Sequence, residues 1–139
     1  MNFDPVSNSE FLTRFIVRHD WVRKKDNHIY PAAFMPPKNL KLSVTRLLHI
    51  SQKDIWNLGQ QVVQRRQIIE RQQFRLYGRA DIEALNVRNQ NLDIEPQPQL
   101  DNPNHANIIN WPESKDKQNI IAMEIAVSAR FVVIEPFPY

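Results

Sequence analysis

The stretch Ser51–Arg66, SQKDIWNLGQQVVQRR, decides how the rest of the chain divides. Ser51 followed by Asp54 has the spacing of a capping box, in which the hydroxyl covers a free amide of the first turn and the acid reaches back. Behind it Ile55, Leu58 and Val62 recur on one helical face, which Trp56 and Val63 widen. The spacing predicts a helix with a core face. Arg65 and Arg66 fall near its C-terminus, where positive charge suits the dipole.

Outward from this helix the pattern is of short strands. Upstream, LKLSV (Leu40 to Val44) alternates like a half-buried strand, and FLTRFIV (Phe11 to Val17) reads as a strand or a short helix opening at Ser9. HIYPAAF (His28 to Phe34) reads as a strand interrupted by Pro31, hence an edge or bulged one. Downstream, FRLYGRA reads as a strand and DIEAL as one helical turn. NLDIE (Asn91 to Glu95) is a strand ended by PQPQ, and ANII (Ala106 to Ile109) is another. Pro112 and Glu113 suit the first turn of a second helix running to about Arg130, apolar enough to be expected largely buried. FVVI (Phe131 to Ile134) closes the chain as a strand. The expectation is an α+β fold: two main helices packed on a mixed or antiparallel sheet of five to seven short strands. One compact domain spans 1–139, with 1–8 and 135–139 as extended tails.

Composition narrows the function classes. A chain of 139 residues with 42% hydrophobic and 24% charged residues has room for one core and is not of disordered type. Without cysteine, thiolate catalysis, disulfides and Cys-ligated zinc are excluded. The opening MNFDPVSNSEF lacks the apolar centre of a signal peptide, and no apolar run reaches the ~20 residues of a membrane-spanning helix. The expected setting is the cytoplasm, with no membrane partner.

Several patterns could carry chemistry. His105, between Asp101-Asn-Pro-Asn and an apolar strand, can act as a general base oriented by Asp101, or can lock its loop through a backbone carbonyl. Ser43 becomes a nucleophile only if a histidine meets it in space; otherwise it is an outward polar residue of a strand. Asp101, Glu113 and Lys115 spell D-x11-E-x-K, the order found in a class of metal-dependent nucleases, but Pro112 puts the last two at a helix start. His19–Asp20 lies in a basic polar connection and lacks further ligands, so no metal or cofactor is expected.

The charge excess of +3 is unevenly spread. Lys24 and Lys25 follow Trp21, while Arg65, Arg66, Arg71, Arg75 and Arg79 are interleaved with Phe74 and Tyr77. Arginines neutralise phosphates and aromatic rings stack bases. The same arginines could equally cover apolar neighbours on a solvated surface.

The succession FLTRFIV, PAAFMPPKNLKLSV, GRADIEALNV, DIEP, NPNHANI and a helix ending in FVVIEP, from about Phe11 to Pro136, resembles a widespread group of small uncharacterised bacterial proteins. The resemblance implies a bacterial single-domain protein and nominates Arg14, Phe34, Ser43 and His105 as positions to test together. It carries no activity with it. The reading that follows is a non-enzymatic binding or accessory protein meeting nucleic acid or a ribonucleoprotein through Lys24, Lys25, Arg65, Arg66, Arg71, Arg75 and Arg79. One alternative is an antitoxin-like interaction subunit with a partner encoded nearby, docked through EPFPY and PQPQ. Another is a small hydrolase or transferase using His105 with Asp101 or Ser43.

Overall fold

The computed structural model describes residues 2–72 and 74–134. The chain runs β1 (Phe11–Ile16), β2 (Val22–Arg23), β3 (His28–Ile29), β4 (Leu42–Arg46), α1 (Gln52–Glu70), β5 (Gly78–Glu83), α2 (Ala84–Arg88), β6 (Asp93–Pro96), β7 (His105–Ile109), α3 (Lys115–Ser128) and β8 (Arg130–Val133). Short 3-10 turns occupy His19–Trp21 and Pro31–Phe34. Six strands form one antiparallel sheet in the order β6-β7-β4-β1-β5-β8, and β2 pairs with β3 in a separate ribbon. The fold is α+β.

Alternation along the strands creates two unlike faces. Leu12 and Ile16 of β1, Leu42 and Val44 of β4, Ile82 of β5 and Ile108 of β7 share one face and are buried. The Pro31–Phe34 turn packs on α3 and is tied to β1 through Arg14, whose Nε donates to the Ala33 carbonyl at 3.0 Å. Phe34 is fully buried there. The other face presents Thr13, Phe15, Ser43, Thr45, His105 and Asn107, and α1 lies across part of it.

Ser51 caps α1 as its spacing predicts, accepting from the Asp54 amide at 3.1 Å. Ile55, Trp56, Gly59 and Val63 are buried on the sheet side. The helix stops at Arg71, which adopts a left-handed conformation (φ 53°) and returns its N–H to the Gln67 carbonyl. The chain then runs alongside the end of β1, where the Arg75 and Tyr77 amides donate to the Val17 and Ile16 carbonyls.

Several sequence expectations change. HIYPAAF is not one strand: β3 ends at Ile29, because Pro31 has the fixed φ of a helical first position and opens a 3-10 turn. FRLYGRA pairs as sheet only from Gly78, and Asp81–Glu83 continue that strand, so the helical turn begins at Ala84. The second helix is capped by Ser114 and ends at Ser128, with Arg130 already in β8. That helix is also less buried than its composition suggests, since Ile120, Met123 and Val127 face outward at 61%, 48% and 79% exposure. The expected C-terminal tail, 135–139, lies outside the described residues. At the other end Val6 is buried, and the Asn2 amide donates to the Pro103 carbonyl, so residues 2–8 lie against the body of the protein.

Candidate ligand pocket with a serine–histidine pair

The centre of the sheet is split. β1 and β4 pair only at Leu12↔Arg46 and Thr13↔Thr45, although β1 stays paired with β5 as far as Ile16 and β4 with β7 as far as Leu42. Past Thr13 and Thr45 the two middle strands part. Leu58, Gln61, Val62, Arg65 and Arg66 of α1 line the space above them, with Gln99, Asp101 and Asn102 of the β6–β7 loop beside it. The result is a cavity of about 280 Å³. A second hollow of about 440 Å³ shares Leu58, Gln61 and Asn102 with it and reaches His49 and Asp54.

Arg14 occupies the split. Its Nη1 donates to the Ser43 carbonyl at 3.2 Å, in place of the ladder bond that β1 and β4 no longer make. Its guanidinium also lies 5.4 Å from the centre of the Trp21 ring. Among the described residues no carboxylate lies within ion-pairing distance of Arg14. Burial, and next the nearby Arg66 charge, push its pKa down to about 10, which still leaves it charged at neutral pH.

His105 and Ser43 meet on the α1 side of the sheet. His105 stands opposite Thr45 in the β4–β7 ladder and Ser43 is two residues along, so their side chains share a face. His105 Nδ1 lies 3.0 Å from the Gln97 carbonyl and Nε2 3.1 Å from Ser43 Oγ. A carbonyl oxygen can only accept, so this network assigns the proton to Nδ1 and leaves the Nε2 lone pair for the Ser43 hydroxyl. Burial holds the imidazole pKa below its ordinary 6.5, against opposing effects of the Gln97 bond and the Asp101 charge. His105 is 8% exposed, whereas Ser43 is open to solvent. The loop that supplies Gln97 is itself fixed: its amide donates to the His105 carbonyl and its side-chain oxygen accepts from Asn107.

The sequence-predicted residues distribute unevenly. Arg14, Ser43, Asp101 and His105 all line the one cavity. Asp101, however, forms an ion pair with Arg65 and makes no hydrogen bond to His105, whose orientation comes from the Gln97 carbonyl instead. In the PQPQ segment Gln97 is exposed, while Pro96, Pro98 and Gln99 are half-buried. The residues missed from sequence are Gln97, Gln61 and Asn102. Of these Gln97 acts through its backbone and leaves no mark in residue type.

The seven cations grouped by sequence occupy several environments. Arg79 is buried, bonded to Asp81 and Gln52 and stacked 4.9 Å over Trp56. Arg66 pairs with Glu70 and covers the buried rings of Trp21 and Phe74. Lys24 and Arg75 flank Tyr77, and Lys25 and Arg71 are exposed. Asp20 is held by Arg18 in a bidentate pair beside His19. Glu113 and Lys115 bracket the Ser114 cap, and among the described residues no three His, Asp or Glu side chains could share a metal ion. Compared with protein-family models, curated proteins and solved structures, the chain matches none.

Proposed function

We propose that this protein binds a phosphate-bearing ligand of the nucleotide or nucleic-acid class, with Arg14 meeting the phosphate in the split between β1 and β4. The observation that carries this reading is a half-buried guanidinium at the cavity that has no carboxylate partner among the described residues, the cavity's own Asp101 being paired with Arg65. A desolvated cation bonded only to neutral carbonyls is costly, and an anion that enters beside it recovers that cost. Arg66 lies close enough to Arg14 for their charges to repel, which favours a ligand carrying more than one negative charge. Outside the cavity, Arg71, Arg75 and Lys24 supply exposed positive charge along the chain that leaves α1.

A fluorescein-labelled single-stranded oligonucleotide, competed with AMP and with pyrophosphate, tests the reading at 50 and 200 mM salt. Binding should appear at low salt and weaken at high salt as released counterions dictate. Arg14→Gln should weaken it about tenfold or more, the usual size for losing a charge-assisted contact. Arg66→Gln, which leaves the sheet untouched, should weaken it less. Absence of binding by the wild type at low salt, or full binding by a folded Arg14→Gln protein, overturns the proposal.

A further inference from the structure

We infer that Ser43 is a nucleophile toward phosphorus, with His105 as its general base, so that the pocket cleaves phosphoesters rather than only holding them. The inference rests on the phosphate-binding reading above and adds chemistry to it. Four observations carry it. The Ser43 hydroxyl and His105 Nε2 are 3.1 Å apart, within proton-transfer reach. The Gln97 carbonyl fixes the tautomer that leaves Nε2 free to accept. The base is buried while the nucleophile is open, so a substrate can reach the oxygen without displacing the imidazole. Arg14 is bonded to the carbonyl of Ser43 itself, which ties cation and nucleophile to one residue of a paired strand.

The step balances with water as the only co-reactant. Ser43 Oγ forms a bond to phosphorus as its proton passes to His105 Nε2. The bond from phosphorus to the leaving oxygen breaks, and that oxygen takes the electron pair and then the proton from Nε2. Water, deprotonated by the same nitrogen, attacks the phosphoserine; Oγ leaves and regains its proton. Arg14 offers positive charge to the phosphoryl oxygens.

The test is labelling by a biotin-linked fluorophosphonate, in which Oγ displaces fluoride from phosphorus, followed by mass spectrometry of the intact chain and its peptides. One adduct on Ser43 is expected, absent in Ser43→Ala and slowed about 100-fold in His105→Gln, the ordinary size of a general-base contribution. The wild type's own pH profile gives a measurement independent of variant folding. Labelling should accelerate as pH rises through the His105 pKa, below 6.5, and level off once the imidazole is neutral. A labelling rate that falls as pH rises, an adduct at another residue, or none at all overturns the inference. Oligonucleotide binding by Ser43→Ala separates the two readings. Binding without wild-type labelling sinks only the nucleophile, and labelling without binding sinks the phosphate site.

Discussion

Arg46 carries a charge into the core, and everything around it is arranged to match that charge. Its side chain is 0% exposed and its forked guanidinium meets both oxygens of Glu10 at 2.7 and 2.8 Å. A further donor reaches the Asp4 carbonyl at 2.7 Å, which fastens the N-terminal segment to the sheet. Removing one partner strands the other, so Glu10→Gln should destabilise the protein by roughly 3–5 kcal/mol. The double variant Glu10→Leu/Arg46→Met should recover much of that loss; urea unfolding of the set decides it, and equal single and double losses refute the account. His105 makes a second prediction through pH. Its folded pKa is depressed, so between that value and 6.5 the unfolded chain binds more protons and stability rises with pH. The contribution is complete above 6.5 and is lost as pH falls toward the folded value. His105→Gln should therefore show a flatter stability profile than wild type between pH 7 and 5 in urea titrations. A parallel profile would mean that His105 does not titrate in this window. At this scale the sequence could single out His105 and Ser43 by type, but not their meeting, which depends on a β4–β7 register. A backbone carbonyl as partner of His105 was foreseen as a type, but not that Gln97 supplies it.

Among the elements, α1 was the most legible because its cap and apolar stripe both mark a helix, although it runs on past Arg66 to Glu70 and leaves Leu58 and Val62 half-buried, whereas the position of Gly59 is explained only by what lies beneath it. A Cβ at Gly59 would come within 2.9 Å of both Leu76 and Phe15. The glycine lets the helix settle close to the sheet and so sets the height of the cavity. Gly59→Ala gains about 1 kcal/mol of helix propensity and loses about 1–3 kcal/mol to overpacking. A net destabilisation of about 1 kcal/mol is expected by thermal unfolding, and a stabilised variant would show that α1 can lift at no cost. The second helix misled for the opposite reason. Its residues are apolar on nearly every side, so composition predicts burial, yet only Gln118, Ala122, Ile125 and Ala126 are buried, with Ile121 half-buried against the core. Met123→Lys on its open side should change stability by no more than about 0.5 kcal/mol. A loss of several times that would show that this side is covered in solution.

Over the whole molecule, the class of fold was readable and the feature that matters most was not. Strand after strand shows in alternation or in short apolar runs, and these runs together with two helices already point to an α+β fold. Strand order is another matter: β1 sits between β4 and β5, partners far along the chain, and only tertiary packing selects them. The split between β1 and β4 follows from that order together with Arg14, a single arginine in an otherwise apolar strand face. Such a residue reads locally as an exception to alternation, and its meaning appears only when the neighbouring carbonyl of Ser43 is found on it. A cation at the middle of the sheet with no ion-pair partner among the described residues should make the native state respond as a whole to anions. A ligand present at about 100 times its Kd and bound only by the folded state adds roughly 2.7 kcal/mol. In a domain of this size that is about 5–10 °C in Tm. Pyrophosphate should therefore raise Tm by an amount of this order in the wild type, and the rise should shrink as sodium chloride increases at fixed pyrophosphate. In Arg14→Gln the starting Tm is free to move either way, since the variant loses two carbonyl bonds but also a desolvated charge. The increment with pyrophosphate is what should disappear, and an undiminished increment would mean that anions bind elsewhere on the protein.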